Sequence, residues 1–130
     1  RYTNMDGAAI DPASIRVSTD FYAIVTVSNK SGYERYADLA LTHIFPAGWE
    51  ITSERDLSSL TYQDIRDDRV LSYFDLSRGE SKEIPVKLTA TYKGRYYLPS
   101  VYCEAMYDNS VRALRKGEWV EVVGQTPAGN

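Results

Sequence analysis

The sequence holds a single cysteine and a single histidine in 130 residues. One cysteine excludes an internal disulfide, and with it a disulfide-stapled secreted module; it fits a cytosolic or a periplasmic setting. One histidine excludes a multi-histidine metal site. The 15 basic residues, set against 18 acidic ones for a net charge of −3, form no block, so no phosphate-binding surface for DNA or RNA is indicated. No run is long and apolar enough to span a membrane, and no signal peptide is present. The chain opens on Arg1 rather than Met and reads as a domain excised from a larger protein, so a missing leader says nothing about compartment. Phosphate loops, dinucleotide fingerprints, zinc spacings and nucleophile elbows are all absent.

What is present is tyrosine. There are 11, in a chain that is 43% hydrophobic and 25% charged, a balance ordinary for a globular fold. Tyrosine suits half-buried pleated surfaces and contact faces, because its ring packs while its hydroxyl stays bonded. The length suits one domain, which we expect over residues 1–124 with a flexible tail at 125–130.

The periodicity is that of strands. Residues 1–19 are mixed and turn-rich, broken at Asp6-Gly7 and Asp11-Pro12. Phe21, Ala23, Val25 and Val27 share one face of a strand ending at Ser28, and Asn29-Lys30-Ser31-Gly32 signals a turn. Tyr36 to Phe45 is a second strand, stopped by Pro46-Ala47-Gly48. Residues 52–61 read as a polar loop or a short helix. Arg69 to Leu76 is a third strand, followed by the turn Ser77-Arg78-Gly79-Glu80. From Glu83 to Thr91 alternation is cleanest: Ile84, Val86, Leu88 and Ala90 face one way. Pro85 lies on the other face and marks a strand start or an edge. Tyr92-Lys93-Gly94 reads as a hairpin turn into one long strand, Arg95 to Met106; Asp108-Asn109-Ser110 reads as a turn; Gly117 to Val123 is the last strand. The expected fold is an all-β antiparallel sandwich of about seven strands, with at most one short helix in a connection.

Few residues invite chemistry. His43 lies between Leu41 and Phe45 at period two, with no nucleophile placed beside it, and reads as a packed side chain. Cys103 sits inside a strand, where nothing activates a thiol. Asp64, Asp67, Asp68 and, further on, Asp75 form the dense carboxylate group. A calcium loop would want a turn glycine that is missing here, and a glycosidase pair would want two carboxylates across a cleft. Interleaved Arg66 and Arg69 favour ion pairs that fix the loop. The tyrosines, with Trp49 and Trp119, could form a glycan-stacking face, although alternation sends Tyr96 and Tyr97 to opposite sides. No cofactor is expected.

Four segments in fixed order carry more than their periodicity. They are Phe45-Pro46-Ala47-Gly48-Trp49-Glu50-Ile51, Tyr62 through Val70 (YQDIRDDRV), Tyr73-Phe74-Asp75-Leu76, and Leu98-Pro99 followed by Glu104-Ala105-Met106-Tyr107-Asp108. Together they resemble the C-terminal domain of bacterial alpha-2-macroglobulins, the counterpart of the receptor-binding domain of the animal proteins.

The resemblance implies a non-enzymatic part of a large protease trap. In that family a protease cleaves a bait segment, the molecule rearranges and the attacker is enclosed; many members also carry a thioester that bonds to the protease. The C-terminal domain packs beside the thioester-type domain and shields it. The implied partners are therefore that domain, other parts of the parent and, through the parent, target proteases. The implied location is the periplasm or the cell surface, with a lipoprotein as one form of the parent and no membrane insertion by this domain itself. Candidate contact or framework residues are Tyr107, Met106, Tyr62 and Trp49; Asp64, Arg66, Asp67, Asp68 and Arg69 become a structural ion-pair loop. Cys103 is followed by Glu104-Ala105-Met106 rather than the thioester pattern, and the animal receptor-binding helix with its paired lysines is not visible, which leaves no receptor endocytosis role. Two other readings remain at this point: an Ig-like surface module binding glycan through exposed tyrosines, and a hydrolase using Asp67 or Asp68.

Overall fold

A computed structural model describes residues 1–29, 35–53, 60, 62–105 and 108–124, with the backbone alone for 105 and 108–115. Every described element is a strand. In order they are β1 (Tyr2–Thr3), β2 (Ile15–Arg16), β3 (Asp20–Ser28), β4 (Tyr36–Ile44), β5 (Trp49–Ile51), β6 (Tyr62–Ile65), β7 (Arg69–Leu76), β8 (Ser81–Ala90), β9 (Gly94–Leu98), β10 (Val101–Ala105), β11 (Asp108–Arg115) and β12 (Glu118–Val123). They form a four-stranded sheet β1-β3-β8-β5, a five-stranded sheet β11-β10-β4-β7-β6 and a three-stranded sheet β2-β12-β9. Pairing is antiparallel except for β2 with β12, which is parallel. The sandwich is all-β, as expected; of the 52–61 connection only 52, 53 and 60 are described, and they hold no helix.

The alternation read from the sequence sets the core. Ile84, Val86, Leu88 and Ala90 of β8 are all buried, as are Phe21 and Ala23 of its partner β3. All of these but Ile84 pack with Phe45, Trp49 and Val70, and the small sheet adds Ile15, Leu98, Val120 and Val122 to the same cluster. A second cluster joins Leu39, Leu41, Phe74 and Leu76 to Ile84, Val101 and Cys103. Apolar side chains on facing pleats thus lose their water together, at roughly 1.5–3 kcal/mol for each fully buried large one.

Pro85 falls where its missing N–H is harmless. It stands opposite Ile24, whose own N–H turns away from β8 to Arg1 O. In an antiparallel ladder such a pair is not hydrogen-bonded, so the position of the missing donor faces the other edge, which β5 covers only from Leu88 onward.

Several expectations are overturned. Arg95 to Met106 is not one strand: β9 and β10 belong to different sheets, separated at Pro99-Ser100. Proline supplies no ladder donor there, and the chain changes sheet. Tyr92-Lys93-Gly94 is not a hairpin turn, because β8 and β9 do not pair; it carries the chain from one sheet to the next. Asp108-Asn109-Ser110 begins β11 rather than turning. The turn-rich start also contributes β1, β2 and a buried Ile15.

Candidate functional site

The segment from Tyr62 to Val70 is a hairpin. β6 pairs with β7 from Tyr62↔Tyr73 to Ile65↔Val70, and Arg66 N donates to Arg69 O at 2.8 Å across the turn. Phe45 N donates to Asp68 O at 2.8 Å, tying the turn to the end of β4. Arg66 Nε donates to Asp64 Oδ2 at 2.9 Å. Arg69 meets Asp68 with two nitrogens, Nε to Oδ1 at 2.9 Å and Nη2 to Oδ2 at 3.0 Å. That fork-on-fork bond with Arg69 holds the Asp68 carboxyl below its ordinary range and the Arg69 guanidinium above its own. A general acid needs the opposite shift, so the geometry argues against Asp68 in that role.

Asp75 does not join this group. It lies near the far end of β7, where Oδ1 accepts the Asp38 N–H at 2.8 Å and Oδ2 accepts Arg35 Nη2 at 2.6 Å. Of the four carboxylates, only Asp64, Asp67 and Asp68 share the hairpin.

Two of the four singled-out segments do meet. Ala47, Trp49, Glu50 and Ile51 line one side of an open cleft of about 420 Å³, and Ile65, Arg66 and Asp67 line the other, with Tyr92 at the rim. Trp49 lines this cleft while its side chain belongs to the core. It is 2% exposed and meets Phe21 edge-on at 5.0 Å and 83°, with Tyr2 at 5.9 Å and 68°. Its Nε1 has no hydrogen-bond acceptor among the described residues. Buried this deeply, Trp49 has little surface to offer a neighbour.

Tyr62 is the reverse case. It is 48% exposed and stacks against Tyr73 at 5.9 Å on the outer face of the five-stranded sheet. The registers Tyr62↔Tyr73, Ala40↔Tyr73 and Glu104↔Ala40 set these residues in one row across four strands. Ala105 then pairs with Asp108, so the β10–β11 connection lies just beyond that row. Met106 and Tyr107 are that connection and lie outside the described residues.

His43 is buried, its ring 4.1 Å from that of Phe45. Nearby, buried Gln63 donates through Nε2 to Ser72 Oγ at 3.2 Å, a polar pair that the sequence did not single out. Cys103 is buried, and burial, aided by the charge of Glu104, pushes its thiol up to about 11. Tyr96 and Tyr97 do face opposite ways: Tyr96 packs on the core, whereas Tyr97 is exposed and meets exposed Trp119 edge-on at 5.4 Å with Arg95 over the indole. Among the described residues no three His, Cys, Asp or Glu side chains gather as metal ligands. No described helix is long and apolar enough to cross a membrane.

The chain is similar to known proteins of one kind. The family model for the Bacterial Alpha-2-macroglobulin MG10 domain matches residues 1–109. The chain is 29% identical over 124 residues to the alpha-2-macroglobulin of Pasteurella multocida, covering 90% of this chain and 6% of that protein. It is 44% identical over 57 residues to an alpha-2-macroglobulin homolog of Yersinia pestis, covering 44% of this chain and 3% of that one. Its fold is similar to part of the crystal structure of Salmonella alpha-2-macroglobulin reacted with methylamine, with a TM-score of 0.84 at 21% identity over 95% of this chain and 9% of that one. It is also similar to part of native Escherichia coli alpha-2-macroglobulin spanning domain MG7 to the C-terminus, with a TM-score of 0.80 at 19% identity over 93% of this chain and 22% of that one. The chain thus spans a small fraction of the length of the relatives it matches. With a family match over residues 1–109 and a fold to suit, the chain belongs to the MG10 domain family of bacterial alpha-2-macroglobulins.

Proposed function

We propose that this chain is the C-terminal, non-catalytic domain of a bacterial alpha-2-macroglobulin-like protease trap. Its work is to pack against a neighbouring thioester-type domain and keep water and amines from it until a protease triggers the parent. The observation that carries the reading is the family match over residues 1–109 in a chain that covers only 6% of its Pasteurella relative, which marks a module of a long polypeptide. The parent works in the periplasm or at the cell surface, and anchoring as a lipoprotein suits that setting.

An activated acyl group survives only where water is excluded, which asks for an apolar or aromatic cover. By side-chain chemistry, Met106 and Tyr107 are the residues we assign to that cover. The pair of exposed Tyr62 and half-buried Tyr73, in the same cross-strand row as Glu104, supports a contact face that continues across the sheet. Trp49 and the Asp64–Arg69 ion-pair hairpin serve as framework: one fills the core, the other fixes the turn.

The test is Tyr107→Ala in the full-length parent, if that parent bears a thioester. Inactivation by methylamine should run faster than in the wild type, with an unchanged melting temperature. Unchanged kinetics would sink the shielding role while leaving the family assignment intact.

A further inference from the structure

Strand β3 is paired unequally on its two edges. Along one it meets β8 over its whole length, from Asp20↔Thr89 to Ser28↔Ser81. Along the other it meets only β1, at Tyr2↔Ala23 and Thr3↔Tyr22. That short ladder closes on Arg1: Arg1 N donates to Ile24 O at 2.9 Å, and Ile24 N donates to Arg1 O at 2.8 Å. Beyond Ile24 no described strand reaches this edge. In an antiparallel ladder, alternate residues turn both their N–H and C=O to the same neighbour. Ile24 faces β1, so Thr26 and Ser28 face the same way and present a bare strand edge.

A groove opens beside that edge. It measures about 310 Å³ and is lined by Val25, Val27, Leu41, Val101 and Cys103, with Arg1 at its mouth. It marks the place where the sandwich is incompletely closed. On the inner face of β3, Phe21 and Ala23 are fully buried where β1 runs alongside, whereas Val25 and Val27 are only half-buried where it does not. A bare edge next to apolar inner-face side chains invites another strand.

We infer that the polypeptide directly preceding Arg1 in the longer parent continues β1 along β3 and roofs this groove. The inference rests on the chain being a module of a longer polypeptide, as its 6% coverage of the Pasteurella relative indicates; it does not depend on the shielding role. The ladder fixes the register. The second residue before Arg1 exchanges hydrogen bonds with Thr26, and the fourth with Ser28. The first and third stand opposite Val25 and Val27, and their side chains point inward over the groove. These two positions are therefore apolar, while the second and fourth point outward with Arg1 and are free to be polar.

Hydrogen–deuterium exchange on the full-length parent, resolved to single amides by fragmentation, tests this. Thr26 and Ser28 should exchange slowly in the wild type. Replacing the four residues before Arg1 with Gly and Ser, at unchanged length, should speed both by at least about tenfold, while Val25 and Val27, which donate to β8, stay protected. If the replacement also frees Val25 and Val27, single apolar-to-Ser changes at the first and third preceding residues take its place and should speed Thr26 and Ser28 alone. Fast exchange of Thr26 and Ser28 in the wild type overturns the inference. So does protection that survives every variant, since another part of the parent would then cover the edge.

Discussion

The ring of Tyr96 packs directly against Gly48. A Cβ added to Gly48 would come within 2.8 Å of both Cδ2 and Cζ of that ring. Both residues also hold the crossing between sheets: Gly48 O accepts Thr91 N at 2.8 Å and Tyr92 N at 3.2 Å, and the Tyr96 hydroxyl donates to the carbonyls of Tyr92 and Lys93. Residue 48 is thus a glycine for reasons of space. Gly48→Ala should cost about 1–3 kcal/mol in urea denaturation, the range for overpacking a filled site. Adding Tyr96→Ala should recover part of that loss; a purely additive double variant would refute the coupling.

Trp49 and Tyr62 should respond in opposite ways. Trp49→Ala removes the largest ring of a buried aromatic cluster and should cost about 3–5 kcal/mol, enough to unfold a marginal domain. Tyr62→Ala leaves an exposed position and should change stability by less than about 1 kcal/mol. Thermal melts of the two variants make the comparison directly.

Asp38 adopts a left-handed backbone, with φ of 55°, at the irregularity between Tyr36 and Leu39 in β4. Asp75 holds it there by accepting its N–H. Asp38→Asn or Asp38→Gly should be nearly neutral, whereas Asp38→Val should cost about 1–3 kcal/mol, because a branched side chain is strained at that angle. Equal melting temperatures for the Val and Asn variants would contradict this account.

The Asp68–Arg69 fork gives a pH signature. A carboxyl lowered in the folded state contributes stability above its unfolded pKa, and loses it as pH falls through the folded one. The wild type should therefore be slightly more stable than Asp68→Asn at pH 7. That margin should begin to shrink below about pH 4 and vanish in stronger acid. The pair is solvent-exposed, so salt should shrink it too.

Cys103 should be inert in the native state. Its thiol, raised from 9.0 to about 11 by burial, stays protonated at pH 8, so a thiol reagent should label it slowly until denaturant is added. The sign for stability follows from the same shift: the contribution is full below the unfolded pKa and is lost as pH rises through the folded one. Rapid native labelling would show that the inner face of β10 opens.

Where periodicity ran unbroken, the sequence was a good guide. β8 buries the four residues its alternation named, and β7 spans the residues expected of it. The failures share a cause. Which strand lies beside which depends on partners distant in the chain, and alternation is blind to partners. Arg95 to Met106 alternates plausibly throughout, yet its halves serve two sheets. Ile15 sits in a turn-rich stretch and is buried only because Val122 comes alongside it. For the candidate site, the Asp/Arg interleaving correctly suggested local ion pairs, since neighbours in sequence need no tertiary partner to meet. The cleft between Trp49 and Asp67, and the bare edge of β3, are tertiary features with no local signal.

The parallel pairing of β2 with β12 has a consequence for synthesis. Ile15 and Arg16 wait for Val122 and Val123, the last described strand to leave the ribosome. Until then the small sheet has no centre, since β12 alone joins β2 to β9, and Val120 and Val122 are missing from the interior. Closure of the domain is therefore a late event with a long loop to shut, the kind of topology that folds slowly. A polypeptide ending at residue 109, where the family match stops, would never reach it. Such a truncated chain would keep its β9 edge open and its hydrophobic end uncovered, and would be prone to aggregate in proportion to its concentration.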